Sequence, residues 1–157
     1  MVNRLWIYQR ERFPLLANGT LVAVLTAASL LYASLALGAA GGLRLNIFAA
    51  AFCVALGLFL QLRIFDEFKD YADDVAYRPY RPVPRGVVSL REFGAIGLVV
   101  AVLQVILTGW ISWQLLPLLA LVWIYMGLMG REFFISRWLK AHPLIYMLSH
   151  MVITPLI

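Results

Sequence analysis

Residues 93–130 read FGAIGLVVAVLQVILTGWISWQLLPLLALVWIYMGLMG, without one charged residue from end to end. At about 1.5 Å per residue, a single helix of that length would overrun a hydrocarbon core about 30 Å thick. The run therefore predicts two spanning helices, Phe93–Ile111 and Leu115–Met129, joined by a tight turn near Ser112–Gln114. Trp110 and Trp113 flank that turn, where interfacial aromatic residues belong.

Outward from this run the pattern repeats. Phe13–Leu43, Leu45–Leu62 and Ala141–Ile157 are also free of charge. The first fits one helix over about Pro14–Gly38, too long an apolar stretch for a cleaved signal peptide. The second fits another, entering at Leu45. The last begins at Pro143 and is too short to cross before the sequence ends. The expectation is an all-α polytopic transmembrane bundle of about five helices, the last incomplete. It forms a single transmembrane domain over residues 1–157, the front part of a longer protein.

Composition agrees. Of 157 residues, 63% are hydrophobic and only 13% charged, with a mean hydropathy of +0.86. A soluble domain is roughly a quarter charged, so a soluble globule, a disordered chain and a disulfide scaffold are all excluded. The net charge of +5 does not point to nucleic acid, because the basic residues follow a membrane pattern. Arg4, Arg10 and Arg12 precede the first helix. Arg63, Lys69, Arg78, Arg81, Arg85 and Arg91 lie between the second and third. Arg131, Arg137 and Lys140 follow the fourth, and only Arg44 falls on the other side. The face carrying twelve of the thirteen should be cytoplasmic, as in an inner membrane of bacterial type. The lone Cys53 reads as a small core residue.

Five of the eight acidic residues crowd into Asp66–Asp74, within the segment Gln61–Arg91, QLRIFDEFKDYADDVAYRPYRPVPRGVVSLR. Asp66, Asp70 and Asp74 follow one another at i, i+4 and i+8. If the second helix runs on, they stack on one face, with Asp73 and Glu67 beside them. Two carboxylates ~6 Å apart at an effective dielectric of ~20 repel by about 3 kcal/mol. Arg63 and Lys69 offset part of this, the latter by pairing with Asp73, and a divalent cation can offset more. Oxygen ligands of this kind suit Mg2+, which binds one or two carboxylates together with substrate phosphates. Next come Arg78-Pro79-Tyr80-Arg81-Pro82-Val83-Pro84-Arg85-Gly86. The prolines forbid a helix and predict a stiff, extended loop that presents Arg78, Arg81 and Arg85, whose guanidinium groups match phosphate oxygens. Carboxylates with metal on one wall and guanidinium on the other make a diphosphate cradle.

The segment resembles the first Asp-rich motif of the UbiA-type intramembrane prenyltransferases. That motif runs N-D-x-x-D-x-x-x-D and is followed by an Arg-rich stretch ending in R-P-x-x-x-G. Asp70, Asp74, Arg81, Pro82 and Gly86 match it, and Ser89 fits the Ser or Thr that often follows. Asp66 stands at its Asn and Glu67 at its first Asp. The segment Arg131–Pro143 (REFFISRWLKAHP) resembles the corresponding loop of some bacterial members. The resemblance implies that this chain is the N-terminal part of a nine-helix fold, whose second Asp-rich motif would come from a complementing C-terminal half. It implies Mg2+ held by Asp66, Glu67, Asp70 and Asp74, and a polyprenyl diphosphate held by Arg78, Arg81 and Lys69. Loss of diphosphate would leave an allylic cation that alkylates a hydrophobic, often aromatic, acceptor inside the membrane, with lipid around the bundle.

Other polar residues read more plainly. Asn18 and Gln104 suit hydrogen bonds to neighbouring helices. His142 suits a surface loop. His150, in an apolar helix, is an intramembrane ionisable group without a visible partner. Gly94, Gly97, Gly127 and Gly130 suit close helix packing, and Arg12 suits a topology signal more than a reach toward the site. A different class of protein also fits the acidic segment: a small non-enzymatic membrane helper that binds cations. The D-G-x-x-A-R arrangement of CDP-alcohol transferases is missing.

Overall fold

The computed structural model describes residues 2–38 and 44–157. These form α1 (Val2–Arg12), α2 (Leu15–Ala36), α3 (Leu45–Lys69), α4 (Tyr71–Tyr77), α5 (Leu90–Ile111) and α6 (Leu116–Gly130). Then follow α7 (Ser136–Ala141), α8 (Pro143–Met151) and α9 (Ile153–Leu156), and no strand occurs among the described residues. The helices α2, α3, α5 and α6, the last with its leading turn Trp113–Leu115, are long and apolar enough to cross a membrane. The chain is thus an all-α helical membrane bundle. Large apolar side chains such as Leu16, Leu35, Leu98, Ile106 and Ile124 stand exposed around it, as they do when lipid rather than water is the solvent. Cys53 belongs to this outer surface and not to the core, where the sequence reading put it.

Helix ends follow local chemistry. Ser89 caps α5 through the Glu92 amide, while the Glu92 carboxylate accepts the Ser89 N–H, a reciprocal capping box. Pro117 sits in the first turn of α6, where a missing N–H breaks no bond. The expected fifth helix is two short pieces, α8 and α9, interrupted at Val152.

The central helix is α3, which packs on α5 most extensively and also touches α2 and α6. Close approach to α5 depends on Gly57. A Cβ there would stand 2.9 Å from a Val100 methyl and 3.0 Å from the Gln104 amide nitrogen. At the charged end of the bundle α1 lies against α3 and α5, with the Tyr8 and Phe93 rings 4.5 Å apart. Phe13, Ile64, Val83 and Val88 complete that cluster. A second cluster of Leu58, Leu119, Val122, Met126, Met129 and Ile153 joins α3, α6 and α9.

Two expectations about the polar segment change. The second helix does not run straight through the acidic residues. It ends at Lys69, and Asp70 takes a bridge conformation (φ −90°, ψ 1°) before α4 begins. The ladder at i, i+4 and i+8 is therefore bent. Second, the Pro-rich stretch is compact rather than extended. Its turns close through Arg81 N–H to Arg78 O, Gly86 N–H to Val83 O and Val87 N–H to Pro82 O. The Val83–Gly86 turn has Pro84 at its second position and Gly86 at φ +76°, a backbone that glycine adopts freely. Pro82, Val83 and Val88 are buried beneath it. Outside that segment, the loop after α6 makes a left-handed turn that nothing in its composition announces. Glu132, Phe133 and Phe134 have φ of 49°, 53° and 61°, and each such residue costs about 1–2 kcal/mol.

Candidate functional site

A cavity of about 620 Å³ opens between α3, α5 and α6. Phe65 and Phe68 from α3 and Phe93 from α5 wall it, and Lys69 and Arg131 stand at its charged end. The glycines at 94, 97, 127 and 130 line this hollow, and two of them also lie close to α3, a Cβ at Gly97 standing 3.7 Å from Ile64 and one at Gly130 3.4 Å from Phe65. Around Gly127 a Cβ would meet nothing within 4 Å, and at Gly94 only the edge of Phe68 at 3.9 Å. Their small size makes the space, and the close-packing glycine is Gly57.

Lys69 does not pair with Asp73. Its ammonium lies 3.2 Å from the Glu132 carboxylate, donates to the Tyr146 hydroxyl at 3.1 Å and sits 5.4 Å from that ring's centre. Burial pushes the Glu132 carboxyl up, but the hydrogen bond and charge of Lys69, with the charge of Lys140, outweigh it and hold its pKa below the ordinary value.

The acidic residues divide into two kinds. Glu67 is buried, and one of its oxygens accepts from the Tyr8 hydroxyl at 3.1 Å, Arg12 at 3.0 Å and Arg63 at 3.1 Å. Arg12 therefore does reach inward. Burial first, and then the Glu67 charge, push the Tyr8 phenol far above its usual pKa, so it remains a donor. Asp74 is also buried. Arg81 grips both its oxygens at 2.7 and 2.6 Å, and Arg78 adds a contact at 3.3 Å. The bond to Asp74 holds the Arg81 pKa above its usual value. Glu67 and Asp74 thus already have cationic partners, and Arg78 and Arg81 are turned to Asp74, away from the cavity lining. Asp66 and Asp70 are only partly buried. Asp66 meets Arg63 at 3.5 Å, and among the described residues Asp70 makes no ion pair. Of the four expected ligands, theirs are the oxygens open to a divalent cation, and the exposed Asp73 likewise makes no ion pair among the described residues. Two carboxylates completed by water and phosphate oxygens fit Mg2+, although among the described residues no group of three or more ligating side chains converges.

The remaining polar residues were only partly foreseen. Gln104 does bond a neighbouring helix, donating to the Val54 carbonyl at 3.0 Å, whereas Asn18 bonds Pro14 O in its own helix. His142 is exposed and stacks on Trp138, and His150 stacks on Tyr146 at 4.1 Å. Gln61, Trp123, Arg131 and Glu132 were missed. Each looks ordinary in sequence, and only the meeting of three helices brings Gln61, Trp123 and Arg131 to one hollow and Glu132 to Lys69 beside it.

The fold and this hollow define a polytopic helical membrane protein with an apolar, cation-ended intramembrane cavity. The chain matches no protein-family profile, no curated protein and no solved structure.

Proposed function

We propose that the protein binds a polyprenyl diphosphate and transfers its prenyl group to a hydrophobic, aromatic or lipid-like acceptor within the membrane. One observation carries this reading: an apolar, ring-walled cavity of about 620 Å³ that ends at Lys69 and Arg131, with the partly buried Asp66 and Asp70 at the same end of α3 as Lys69. The isoprenoid tail lies among Phe65, Phe68 and Phe93. Lys69 and Arg131 take the diphosphate, and Asp66 and Asp70 are the residues that would hold Mg2+. Bound Mg2+ adds positive charge that stabilises the departing diphosphate.

The chain's own residues do the rest. Lys69 and Arg131 hold the diphosphate as the C–O bond breaks and its electron pair leaves with oxygen. The aromatic faces shield the allylic cation from water and attract its charge. An acceptor carbon then bonds to the cation and sheds a proton. Glu67, Asp74, Arg78 and Arg81 act one step back, fixing α1 and the Pro-rich turns around the cavity's charged end. The charged end faces the cytoplasm in this reading, because twelve of thirteen basic residues lie there.

The test is binding and turnover in lipid nanodiscs with prenyl diphosphates, their prenols, and Mg2+. The expected result is Mg2+-dependent binding of the diphosphate over the prenol, with diphosphate released when acceptor is present. Asp70→Ala should remove the Mg2+ dependence, and Lys69→Ala should weaken diphosphate binding roughly tenfold, the equivalent of about 1.4 kcal/mol. Equal binding of prenol and diphosphate, indifferent to Mg2+, would overturn the reading. Metal binding without either prenyl compound would favour the non-enzymatic helper.

A further inference from the structure

Below the main cavity lies a second hollow on the same three-helix seam. It measures about 260 Å³ and is lined by Ala55, Leu58, Thr108, Leu119 and Val122 among others. What divides the two is polar. The Trp123 indole N–H donates to the Gln61 side-chain oxygen at 3.1 Å, joining α6 to α3. The Gln61 amide donates to the Gly97 carbonyl at 3.4 Å, joining α3 to α5. The Gln104 amide donates back from α5 to the Val54 carbonyl on α3. Both glutamines are buried, Gln104 at 1% exposure.

Hydrogen-bonding side chains in the middle of apolar helices are costly unless paired. Gln61 is paired through both its oxygen and its nitrogen, whereas Gln104 is paired through its nitrogen and its Oε1 is buried without a partner. The paired Trp123–Gln61–Gly97 link specifies its geometry more sharply than apolar contact does. The brace therefore holds one fixed depth. Gln61 is eight residues before Lys69 on α3, or about 12 Å along the helix axis. The lower hollow also suits a hydrocarbon less well than the upper, since the Thr108 hydroxyl that lines it is buried without a hydrogen-bond partner.

We propose that the Trp123–Gln61 bond, backed by Gln104, is the floor of the tail site and sets the longest isoprenoid tail the protein accepts. This rests on reading the upper cavity as a prenyl site. Lys69 and Arg131 fix the head at one end of it, and Trp123 stops the tail at the other.

The experiment measures dissociation constants of prenyl diphosphates of increasing length, and of the matching prenols, for the full chain in nanodiscs. In the wild type, affinity rises with each isoprene unit up to a limit and then levels or falls. Trp123→Ala joins the hollows and moves that limit up by at least one unit. Adding Ala55→Phe to it refills the lower hollow and restores the limit. Ala101→Leu, which thickens the cavity wall while keeping the brace, moves the limit down, and so tests the floor even if Trp123→Ala does not fold. A limit that stays put in Ala101→Leu and in folded Trp123→Ala would overturn the floor, and so would a wild type with no limit. Two outcomes separate this from the functional reading. Prenols that bind as well as diphosphates, with the limit still moving, sink the diphosphate reading and keep the floor. A preserved diphosphate preference with an immovable limit does the reverse.

Discussion

Gly57 shows how much one missing carbon carries. Its substitution by alanine places a methyl 2.9 Å from Val100 and 3.0 Å from Gln104. Either α3 and α5 separate or the Gln104–Val54 hydrogen bond breaks. Gly57→Ala should destabilise the bundle by about 1–3 kcal/mol, read as a lower midpoint of thermal or denaturant unfolding in detergent, whereas Gly127→Ala meets open space and should leave it unchanged. The sequence pointed to the wrong glycines, because spacing marks a helix face and not what lies opposite it. The same limit applies to Glu67 and Asp74. Their spacing with Asp70 suggested a shared metal. The group that neutralises Glu67 includes Arg12, 55 positions away in the chain, and no local pattern reports such a partner.

At the scale of elements, the spans were plain from sequence, since a bilayer tolerates almost no charge and so each charge marks a boundary. The four spans begin within a few residues of the starts expected for them, though α3 runs on past its charge-free stretch through Arg63, Asp66, Glu67 and Lys69. What was hidden lies between them, where water, loops and ion pairs compete on equal terms. The left-handed turn at Glu132–Phe134 is one such place, held against its own conformational preference by the Lys69 ion pair. Because the folded Glu132 pKa is lowered, its contribution to stability is complete above the ordinary value of about 4.5 and is lost as the pH falls through the lower folded value. Unfolding measured across that range should show the wild type losing stability on acidification more steeply than Glu132→Gln, which has no carboxyl to protonate. Identical acid profiles would mean the pair contributes nothing to the turn.

For the whole molecule, charge asymmetry predicts a single orientation. In a Cys53→Ser background, cysteines introduced by Arg85→Cys and Gln114→Cys should react with an impermeant maleimide from opposite sides, Arg85→Cys only from the cytoplasm. Labelling of both from one side would contradict the up-and-down course of α3, α5 and α6.

The first helix of the chain has one more consequence, and it concerns the order of assembly. Arg4 holds the Val87 carbonyl and the Glu92 carboxylate, Glu11 holds Arg85, and Arg12 holds Glu67. Arg85, Val87 and Glu92 are all synthesised after the second span, and Glu67 only near that span's end. The segment made earliest is consequently secured late: α1 must rest on the membrane surface, held only by Arg12 on Glu67, until the third span enters and brings Glu92 to it. Events at the amino terminus during that interval bear on whether the charged end of the bundle ever closes.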